Sequence, residues 1–313
     1  MNASKHALVE GIVEFLGGRG LLDRDDVRAA LEREIDRDGV ESLLALKDRL
    51  CADDGWAYYP PDGLARRIHH LLAGRFLARE SRVEGTAHAS AVAGAPVVIA
   101  ANHLSYADAN VIEMLLHQSG GDAAHLANRL TALAGPKVFT SRERRFSSLC
   151  FGTVKVPQSA DVSSDEAVLD ARGVARAARQ AIGVAQARLV AGDALVLFGE
   201  GTRSRSGGMQ RMLAAVARYL EAPGTWVVPA GLTGSEALFP VDGSRLQPAR
   251  VTLTLGHPVR ADALLAACDG DRRVATDAVG LAIAQLLPPE YRGVYANADD
   301  FADACKMVAL RAD

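Results

Sequence analysis

The apolar positions change their spacing along the chain, from a helical period near the amino end to short continuous runs further on. Between residues 21 and 51 the apolar side chains follow the spacing of two amphipathic helices, which Gly39 separates. A third helix is expected from Leu64. Residues 59–63, a Tyr-Pro-Pro-Asp-Gly stretch, consist of turn-forming residues and are expected to form a loop. No strand is expected in the first 80 residues.

From about residue 82, short apolar runs alternate with longer helical patterns. Four runs have the length and branching of strands, at residues 96–101, 194–198, 225–228 and 250–255. Helices are expected at residues 109–117, 167–191 and 210–220. This alternation predicts an α/β fold, with a mostly parallel sheet flanked by helices and a small helical N-terminal domain. We therefore expect a helical domain at residues 1–80 and an α/β domain at residues 81–313.

Composition and charge narrow the range of possible functions. The 313 residues are 49% hydrophobic and 23% charged, as in ordinary globular proteins, and 35 basic against 38 acidic side chains give a net charge of −3. This balance predicts no nucleic-acid partner, because duplex affinity depends largely on excess Lys and Arg. The four cysteines lack CxxC or zinc-type spacing, and no apolar run approaches the roughly 20 residues of a transmembrane helix. These features, without a signal-peptide pattern, predict a cytoplasmic protein.

The first candidate for chemistry is the segment 102–108, Asn-His-Leu-Ser-Tyr-Ala-Asp, which follows the predicted strand at 96–101. Such strand ends are where α/β proteins place ligand sites. On one continuous helix His103 and Asp108 would lie about 140° apart. They can therefore meet only if His103 precedes a helix whose first turn contains Asp108, with Ser105 as its N-cap. A histidine held by a carboxylate can act as a general base, whereas the alternative is a helix-capping acid beside a loop histidine bonded to backbone.

The second candidate is the loop at residues 198–208, Phe-Gly-Glu-Gly-Thr-Arg-Ser-Arg-Ser-Gly-Gly, which follows the predicted strand at 194–198. Its glycines allow backbone amides to approach an anion, and Arg203 and Arg205 can reach the same phosphate. A helix beginning at Gln210 would direct its N-terminus toward that anion. Because lysine occurs only five times, 30 of the 35 basic residues are arginines, and a single arginine carries little information. A surface turn with solvated arginines is the alternative.

Together these segments resemble the glycerophospholipid acyltransferases, the family of the lysophosphatidic acid and glycerol-3-phosphate acyltransferases. Residues 102–108 match the NHxSxxD form of the His-x4-Asp motif. Residues 198–205 match the block usually written FPEGTRSR, with Gly199 where proline is common. Residues 228–232 look like the family's later apolar block, which contains one proline. The resemblance covers the chain from about residue 82 to residue 292.

A fourth block, at residues 151–157, resembles the family's segment with a glycine followed by a substrate-binding arginine. In this chain Lys155 is the candidate for that role, with Lys137 or Arg142 upstream as alternatives. The tail at residues 286–293 is also similar to bacterial members.

The resemblance implies a mechanism in which His103 accepts the proton of a glycerol hydroxyl, which then attacks an acyl thioester. Asp108 would hold the imidazole in the correct tautomer and stabilise its charged form. Because no acyl-enzyme is required, Ser105 is expected to be a helix cap and not a nucleophile. The residues expected to bind substrate are Asn102, Lys137, Lys155, Glu200, Gly201, Thr202, Arg203 and Arg205.

The expected partners are an acyl donor, either acyl-CoA or acyl carrier protein, and an acceptor, either glycerol 3-phosphate or a lysophospholipid. No metal and no cofactor besides the donor substrate is expected, and the His69–His70 pair is expected to be structural or on the surface. Arginines of the helix from Leu64 give a possible peripheral contact with the inner face of the membrane. Two alternatives stay open: a catalytically lapsed membrane-surface or scaffold protein of the same fold, and a thioester hydrolase in which His103 activates water.

Overall fold

The computed structural model describes residues 2–17, 24–52, 55–140, 142–157, 170–238 and 247–309. The strands in these ranges are β1 (Tyr58–Tyr59), β2 (Arg82–Glu84), β3 (Val97–Ala101), β4 (Leu130–Ala134), β5 (Gly152–Lys155), β6 (Ala194–Phe198), β7 (Trp226–Thr233), β8 (Thr252–Leu255) and β9 (Val259–Arg260). The α-helices are α1 (Asn2–Gly17), α2 (Arg24–Cys51), α3 (Gly63–Phe76), α4 (Ala87–Ala91), α5 (Asp108–Ser119), α6 (Gly121–Asn128), α7 (Arg142–Leu149), α8 (Ala171–Val190), α9 (Ser235–Leu238), α10 (Ala261–Ala267), α11 (Arg272–Gln285) and α12 (Ala302–Ala309).

The strands form one sheet in the order β1-β5-β4-β6-β3-β7-β8-β2, with β9 beside β7. The central neighbours β5, β4, β6, β3 and β7 are parallel, whereas β1, β8 and β9 each pair antiparallel with a neighbour. Alternate side chains of β3 enter two different cores, one with Ile99 and one with Val98, because helices cover both faces of the sheet. The predicted α/β class with a mostly parallel sheet and an N-terminal helical region is confirmed.

The structure contains strands that the sequence pattern did not predict. Strands β4 and β5 have only 5 and 4 residues, which is too short for a clear alternating pattern. Strand β1 lies within the first 80 residues, where no strand was expected, and its Tyr59 belongs to the predicted loop at 59–63. Its two residues are extended because they pair with Thr153 and Val154 of β5, which is a contact far away in sequence.

Helices α2 and α3 form where they were predicted, whereas α1 was not predicted. Gly39 interrupts α2 with a φ of 83°, in the left-handed region that favours glycine. Helix α3 begins after Asp62, whose buried carboxylate accepts a hydrogen bond from the Ala65 N–H at 3.0 Å. Leu31 of α2 and Leu64 of α3 pack in the same core as the sheet. The division of the chain at residue 80 stays a prediction.

Helix α8 occupies most of the predicted helix at 167–191. In the structure Asp170 precedes the helix, and its carboxylate accepts a hydrogen bond from the Gly173 N–H at 2.7 Å. Ser163 and Glu166 have the Ser-x-x-Glu spacing of a capping box, which predicts an earlier start for this helix, but both lie outside the described residues.

The arginines of α3 make contacts within the protein. Arg66 donates to the Cys150 carbonyl at 2.9 Å, and Arg67 pairs with Asp38. Arg75 pairs with Asp26 of α2. Within the described ranges, no helix has both the length and the apolar character needed to cross a membrane. Contact of α3 with a membrane surface stays a prediction, and these pairings would have to break or be shared for its arginines to bind lipid.

A buried ionic cluster fastens α3 to α5, the helix that begins at Asp108. The carboxylate of Glu113 is fully buried and lies 2.9 Å from Nε2 of both His69 and His70. Burial alone raises the pKa of Glu113, but the hydrogen bonds and charges of the two imidazoles outweigh burial and lower it to about 2. The His69–His70 pair is therefore structural.

Replacement of Glu113 by glutamine is expected to lower the free energy of unfolding by about 1 to 3 kcal/mol, because the amide leaves one imidazole poorly paired in a buried place. Urea denaturation at pH 7 measures this change. Glu41→Gln, at an exposed position of α2, is the matched control and is expected to leave stability unchanged. Equal stabilities of the two variants would contradict a stabilising role for the cluster.

Candidate active site

The segment that follows β3 forms a tight turn closed by the carboxylate of Asp108. Asp108 Oδ2 accepts hydrogen bonds from the N–H groups of Leu104 at 2.6 Å and Ser105 at 2.9 Å, and lies 2.8 Å from Nδ1 of His103. Its other oxygen, Oδ1, accepts a hydrogen bond from the Ser235 hydroxyl at 2.7 Å. Asp108 is fully buried and is the first residue of α5. The geometry predicted from the five-residue spacing is present in the structure.

The predicted N-cap role of Ser105 is wrong in detail. Helix α5 begins at Asp108, with Ala107 before it, and the buried Ser105 hydroxyl accepts a hydrogen bond from the Ala107 N–H at 3.2 Å. The reason is that the Asp108 side chain folds back and itself binds the N–H groups that precede the helix. Ser105 therefore stabilises the turn.

The imidazole of His103 is held on one side and open on the other. Because a carboxylate only accepts hydrogen bonds, Nδ1 carries the hydrogen and the lone pair lies on Nε2. The ring stacks on Phe198, with 4.2 Å between centroids, and its side chain keeps 18% exposure. No side chain in the described part of the chain hydrogen-bonds Nε2. This nitrogen can therefore accept a proton from a bound hydroxyl group.

Glu200 joins the His103 turn to the loop that follows β6. Its carboxylate accepts hydrogen bonds from the His103 N–H at 2.9 Å and from the Gln210 N–H at 2.7 Å. The side chain is buried, and this burial raises the pKa of Glu200 to about 7, although the two backbone hydrogen bonds oppose the shift. Both carboxylate oxygens are used in these contacts, so Glu200 positions the two loops. Its predicted contact with substrate stays a prediction.

The raised pKa of Glu200 predicts a pH-dependent stability. The folded protein holds this proton more tightly than the unfolded chain, whose carboxyl group titrates near pH 4.5. Between pH 4.5 and 7 the folded state therefore binds more protons, and stability falls as the pH rises. Relative to Glu200→Gln, we expect the wild type to lose about 1 to 3 kcal/mol of unfolding free energy between pH 5 and 8. Urea titrations across this range test the effect; parallel pH curves for the two proteins would contradict it.

Close packing explains two glycines of the second loop. A Cβ on Gly199 would lie 2.0 Å from Cε of Met212, so the methionine fills the space beside this residue, where the resembling family often has proline. Gly201 has a φ of 71°, and a Cβ there would lie 2.6 Å from Cδ1 of Leu213. The loop therefore folds tightly over residues 212–213.

The helix predicted at 210–220 is wrong in its first turn. A 3₁₀ helix occupies Ala214–Leu220, and residues 209–213 are not helical. The reason is that the first intrahelical bond, from the Leu213 N–H to the Met209 carbonyl, is replaced: Leu213 donates to the Gly199 carbonyl at 2.9 Å, and the Met209 carbonyl accepts from the Val294 N–H at 3.0 Å. The N–H groups of Gln210 and Met212 are bound by Glu200 and by the Tyr295 hydroxyl, at 2.7 and 3.0 Å. No helix N-terminus is thus available at Gln210 to bind an anion.

Arg203 differs in its surroundings from the arginines of the chain that pair with carboxylates. Examples of such pairs are Arg28 with Glu10 and Arg188 with Asp193. The guanidinium of Arg203 instead lies over the Tyr106 ring, 4.1 Å from the centroid, and has no carboxylate partner within the described ranges. Arg205 is exposed and likewise lacks an acidic partner there. Both guanidinium groups can therefore accept an anionic ligand.

Asn102 and the C-terminal tail support the two loops. The fully buried side chain of Asn102 donates to the Leu232 carbonyl at 2.9 Å and accepts from the Leu232 N–H at 2.8 Å, which ties the turn to β7. At the far end of the second loop, the Met209 N–H donates to the Tyr291 carbonyl at 2.9 Å. Contact of Asn102 with substrate stays a prediction, as does that of Thr202, which is half-buried in the same loop.

The lysines predicted to bind substrate lie further along the same sheet edge. Lys155 ends β5, three strands away from Ala101 at the end of β3, which corresponds to about 14 Å at strand spacings of about 4.8 Å. Its ammonium group lies 5.0 Å from the Phe139 ring centroid and 5.2 Å from that of Trp56. Lys137 lies in the 3₁₀ turn after β4. The Arg142 side chain is outside the described part of the structure.

The described residues contain one cluster with metal-ligand chemistry, formed by His69, His70 and Glu113. It lies between α3 and α5, away from His103. The hydrogen bonds from the imidazoles already satisfy the carboxylate, and Arg66 Nε is 3.9 Å from Glu113 Oε1. This positive charge opposes cation binding, so we assign the cluster a structural role.

Three residues at the site were not identified from the sequence. Ser235 binds Asp108 from 127 positions away, and no local pattern indicates that contact. Phe198 was recognised as a strand end and as the first residue of the block at 198–205, but not as the support of the His103 ring. Tyr106 lies inside the first motif, but its contact with Arg203 depends on how the two loops meet.

Comparison with known proteins agrees with the motifs. The family model described as Acyltransferase matches residues 80–233. Among solved structures, the 1-acyl-sn-glycerophosphate (LPA) acyltransferase PlsC from Thermotoga maritima is similar, with 17% sequence identity, a TM-score of 0.46 and 89% coverage of each chain. A sequence comparison with curated proteins gives no significant match. Through residues 80–233, this chain belongs to the acyltransferase family.

Proposed function

We propose that this acyltransferase moves a fatty acyl group from an acyl thioester to a hydroxyl of glycerol 3-phosphate or of a lysophospholipid. The observation that carries the proposal is the combination of an imidazole held by a carboxylate and an arginine that has no acidic partner among the described residues. His103 is bound by the buried Asp108 and open at Nε2. Arg203, from the second loop, lies over the ring of Tyr106, which belongs to the same turn as His103. A hydroxyl and a phosphate of one small molecule could thus bind side by side.

The chemistry follows from the position of the proton on His103. The acceptor hydroxyl gives its proton to Nε2 as its oxygen attacks the thioester carbonyl carbon. The carbon–sulfur bond then breaks, and the proton on Nε2 passes to the leaving sulfur to give a thiol. Asp108 accepts the Nδ1 hydrogen bond throughout and stabilises the positive imidazole. The buried Ser105 is not needed as a nucleophile.

Acceptor binding is assigned to the arginines on electrostatic grounds. A phosphate monoester carries up to two negative charges, and guanidinium groups bind it through paired hydrogen bonds. Arg203 and Arg205 lie two residues apart in the loop that Glu200 fastens to the His103 turn. Acyl-CoA and acyl carrier protein are both proposed as donors, because both present the same thioester.

The test is to incubate the purified protein with palmitoyl-CoA and, separately, with palmitoyl acyl carrier protein, each with a panel of acceptors. The panel contains glycerol 3-phosphate, lysophosphatidate, glycerol and monoacylglycerol, so that phosphate is the only difference within each pair. We expect thiol release that requires a phosphorylated acceptor, with the acylated product detected by mass spectrometry. Thiol release without any acceptor would support a thioester hydrolase. Acylation of glycerol at the same rate as glycerol 3-phosphate, and of monoacylglycerol at the same rate as lysophosphatidate, would contradict phosphate recognition.

A further inference from the structure

The contact between Arg203 and Tyr106 joins the two loops of the site. Tyr106 lies between His103 and Asp108, within the turn that the Asp108 carboxylate closes. Its side chain is 48% exposed, so one face of the ring is available to a neighbouring group. The guanidinium carbon of Arg203 lies 4.1 Å from the ring centroid, and that of Arg144 lies 5.4 Å away. Arg203 is thus in direct contact with the ring.

This contact restricts the guanidinium group. Arginine has a long side chain that loses conformational freedom when it binds a ligand, and a stack formed in advance lowers this cost. A guanidinium has five N–H donors, and contact with one aromatic face leaves the donors that face away from the ring free to bind an anion. The carbonyl of Arg203 also accepts a hydrogen bond from the Gln210 side chain at 3.5 Å, which restrains the backbone on the same side.

The turn at residues 103–108 therefore carries both the His103 imidazole and the Tyr106 ring. Within the turn from His103 to Asp108, the Asp108 carboxylate holds the imidazole through Nδ1, and the hydrogen bond from the Ala107 N–H to the Ser105 hydroxyl fixes the backbone on both sides of Tyr106. We propose that Tyr106 is the positioning residue for Arg203, which sets the place of the acceptor phosphate relative to the hydroxyl at His103. This inference rests on the proposed function and adds a residue whose identity determines acceptor affinity.

The test compares Tyr106→Leu, which removes the ring, with Tyr106→Phe, which keeps it. We expect Tyr106→Leu to raise the acceptor KM about 3- to 30-fold, the range expected for loss of a cation–π contact, with the donor KM unchanged. Tyr106→Phe is expected to retain the wild-type acceptor KM, because the ring face makes the contact. Calorimetry with glycerol 3-phosphate in the absence of donor is expected to show the same loss of affinity in Tyr106→Leu.

The matched control is Tyr58→Leu, which removes a similar stack at another place. The guanidinium of Arg188 lies 4.3 Å from the Tyr58 ring centroid, and Tyr58 pairs with β5 in strand β1. This variant is expected to leave the acceptor KM unchanged. In a double-mutant cycle, Tyr106→Leu should have a smaller effect in Arg203→Lys than in the wild type, because the lysine ammonium does not form the same planar stack.

Separate results would overturn the inference and the proposed function. If the wild type acylates glycerophosphate acceptors but Tyr106→Leu keeps the wild-type acceptor KM, the inference fails and the function stands. Equal losses in Tyr106→Phe and Tyr106→Leu would also overturn it, because the hydroxyl would then be responsible. If Tyr106→Leu raises the donor KM as much as the acceptor KM and also lowers the melting temperature, Tyr106 has a general structural role and the inference fails. Absence of acyl transfer to every glycerophosphate acceptor would reject the function, and the inference with it.

Discussion

Replacement of His103 by alanine is expected to lower the rate of acyl transfer by about 10²- to 10⁴-fold, the range typical for loss of a general base. The fold is expected to remain intact, because the ring is partly exposed and its main packing contact is the stack on Phe198. Steady-state kinetics with saturating donor and acceptor measure the rate, and circular dichroism checks the fold. A folded variant that keeps more than about a tenth of the wild-type rate would contradict the mechanism.

Asp108→Asn is the companion variant and is expected to lose less activity than His103→Ala. The amide oxygen can replace Oδ2, which accepts from the Leu104 and Ser105 N–H groups, and the amide nitrogen can donate to the Ser235 hydroxyl. The turn therefore persists, but the neutral amide no longer stabilises a positive imidazole. An unchanged rate in this variant would remove the electrostatic role of Asp108.

Arg203→Ala is expected to lower the acceptor kcat/KM by roughly 30-fold to several thousand-fold, with most of the change in KM. Loss of one partner from a desolvated charge pair costs about 2 to 5 kcal/mol, and the pair with phosphate would exist in both the ground and the transition state. The donor KM is expected to change little. Kinetics with acceptor and donor varied separately make this distinction.

Arg205→Ala and the double variant complete this test. If both arginines bind one phosphate, the loss in the double variant should be smaller than the product of the single losses. Arg260→Ala is the control, because this exposed arginine pairs with Asp262 away from the loop. An unchanged acceptor kcat/KM in both single variants would remove the phosphate-binding role and the case for a glycerophosphate substrate.

Local patterns in the sequence were sufficient for the class of the fold and for the first motif. The apolar runs that became β3 and β6 are long, branched and buried on both faces, so their pattern is unambiguous. The meeting of His103 with Asp108 depends on six consecutive positions, and such a short turn has few possible conformations. Strands β1, β4 and β5 were missed because their extended form depends on pairing partners and not on their own residues.

The second loop shows most clearly where local patterns fail. A helix from Gln210 was expected from the apolar spacing, but the Leu213 N–H donates to the Gly199 carbonyl and the Met209 carbonyl accepts from the Val294 N–H, so the first intrahelical hydrogen bond does not form. A local pattern cannot include competitors that are distant in sequence. The same limit applies to Ser235, which binds Asp108 from 127 positions away.

The sequence by itself therefore determined the α/β class, the family and the two segments that carry the chemistry. Only the tertiary structure decided the environment of each side chain within them: Glu200 buried between two loops, and Arg203 on the ring of Tyr106 without an acidic partner among the described residues. The physical reason is that a motif records which residues are adjacent along the chain. Burial, ion pairing and stacking depend instead on which distant segments the sheet brings to the same edge.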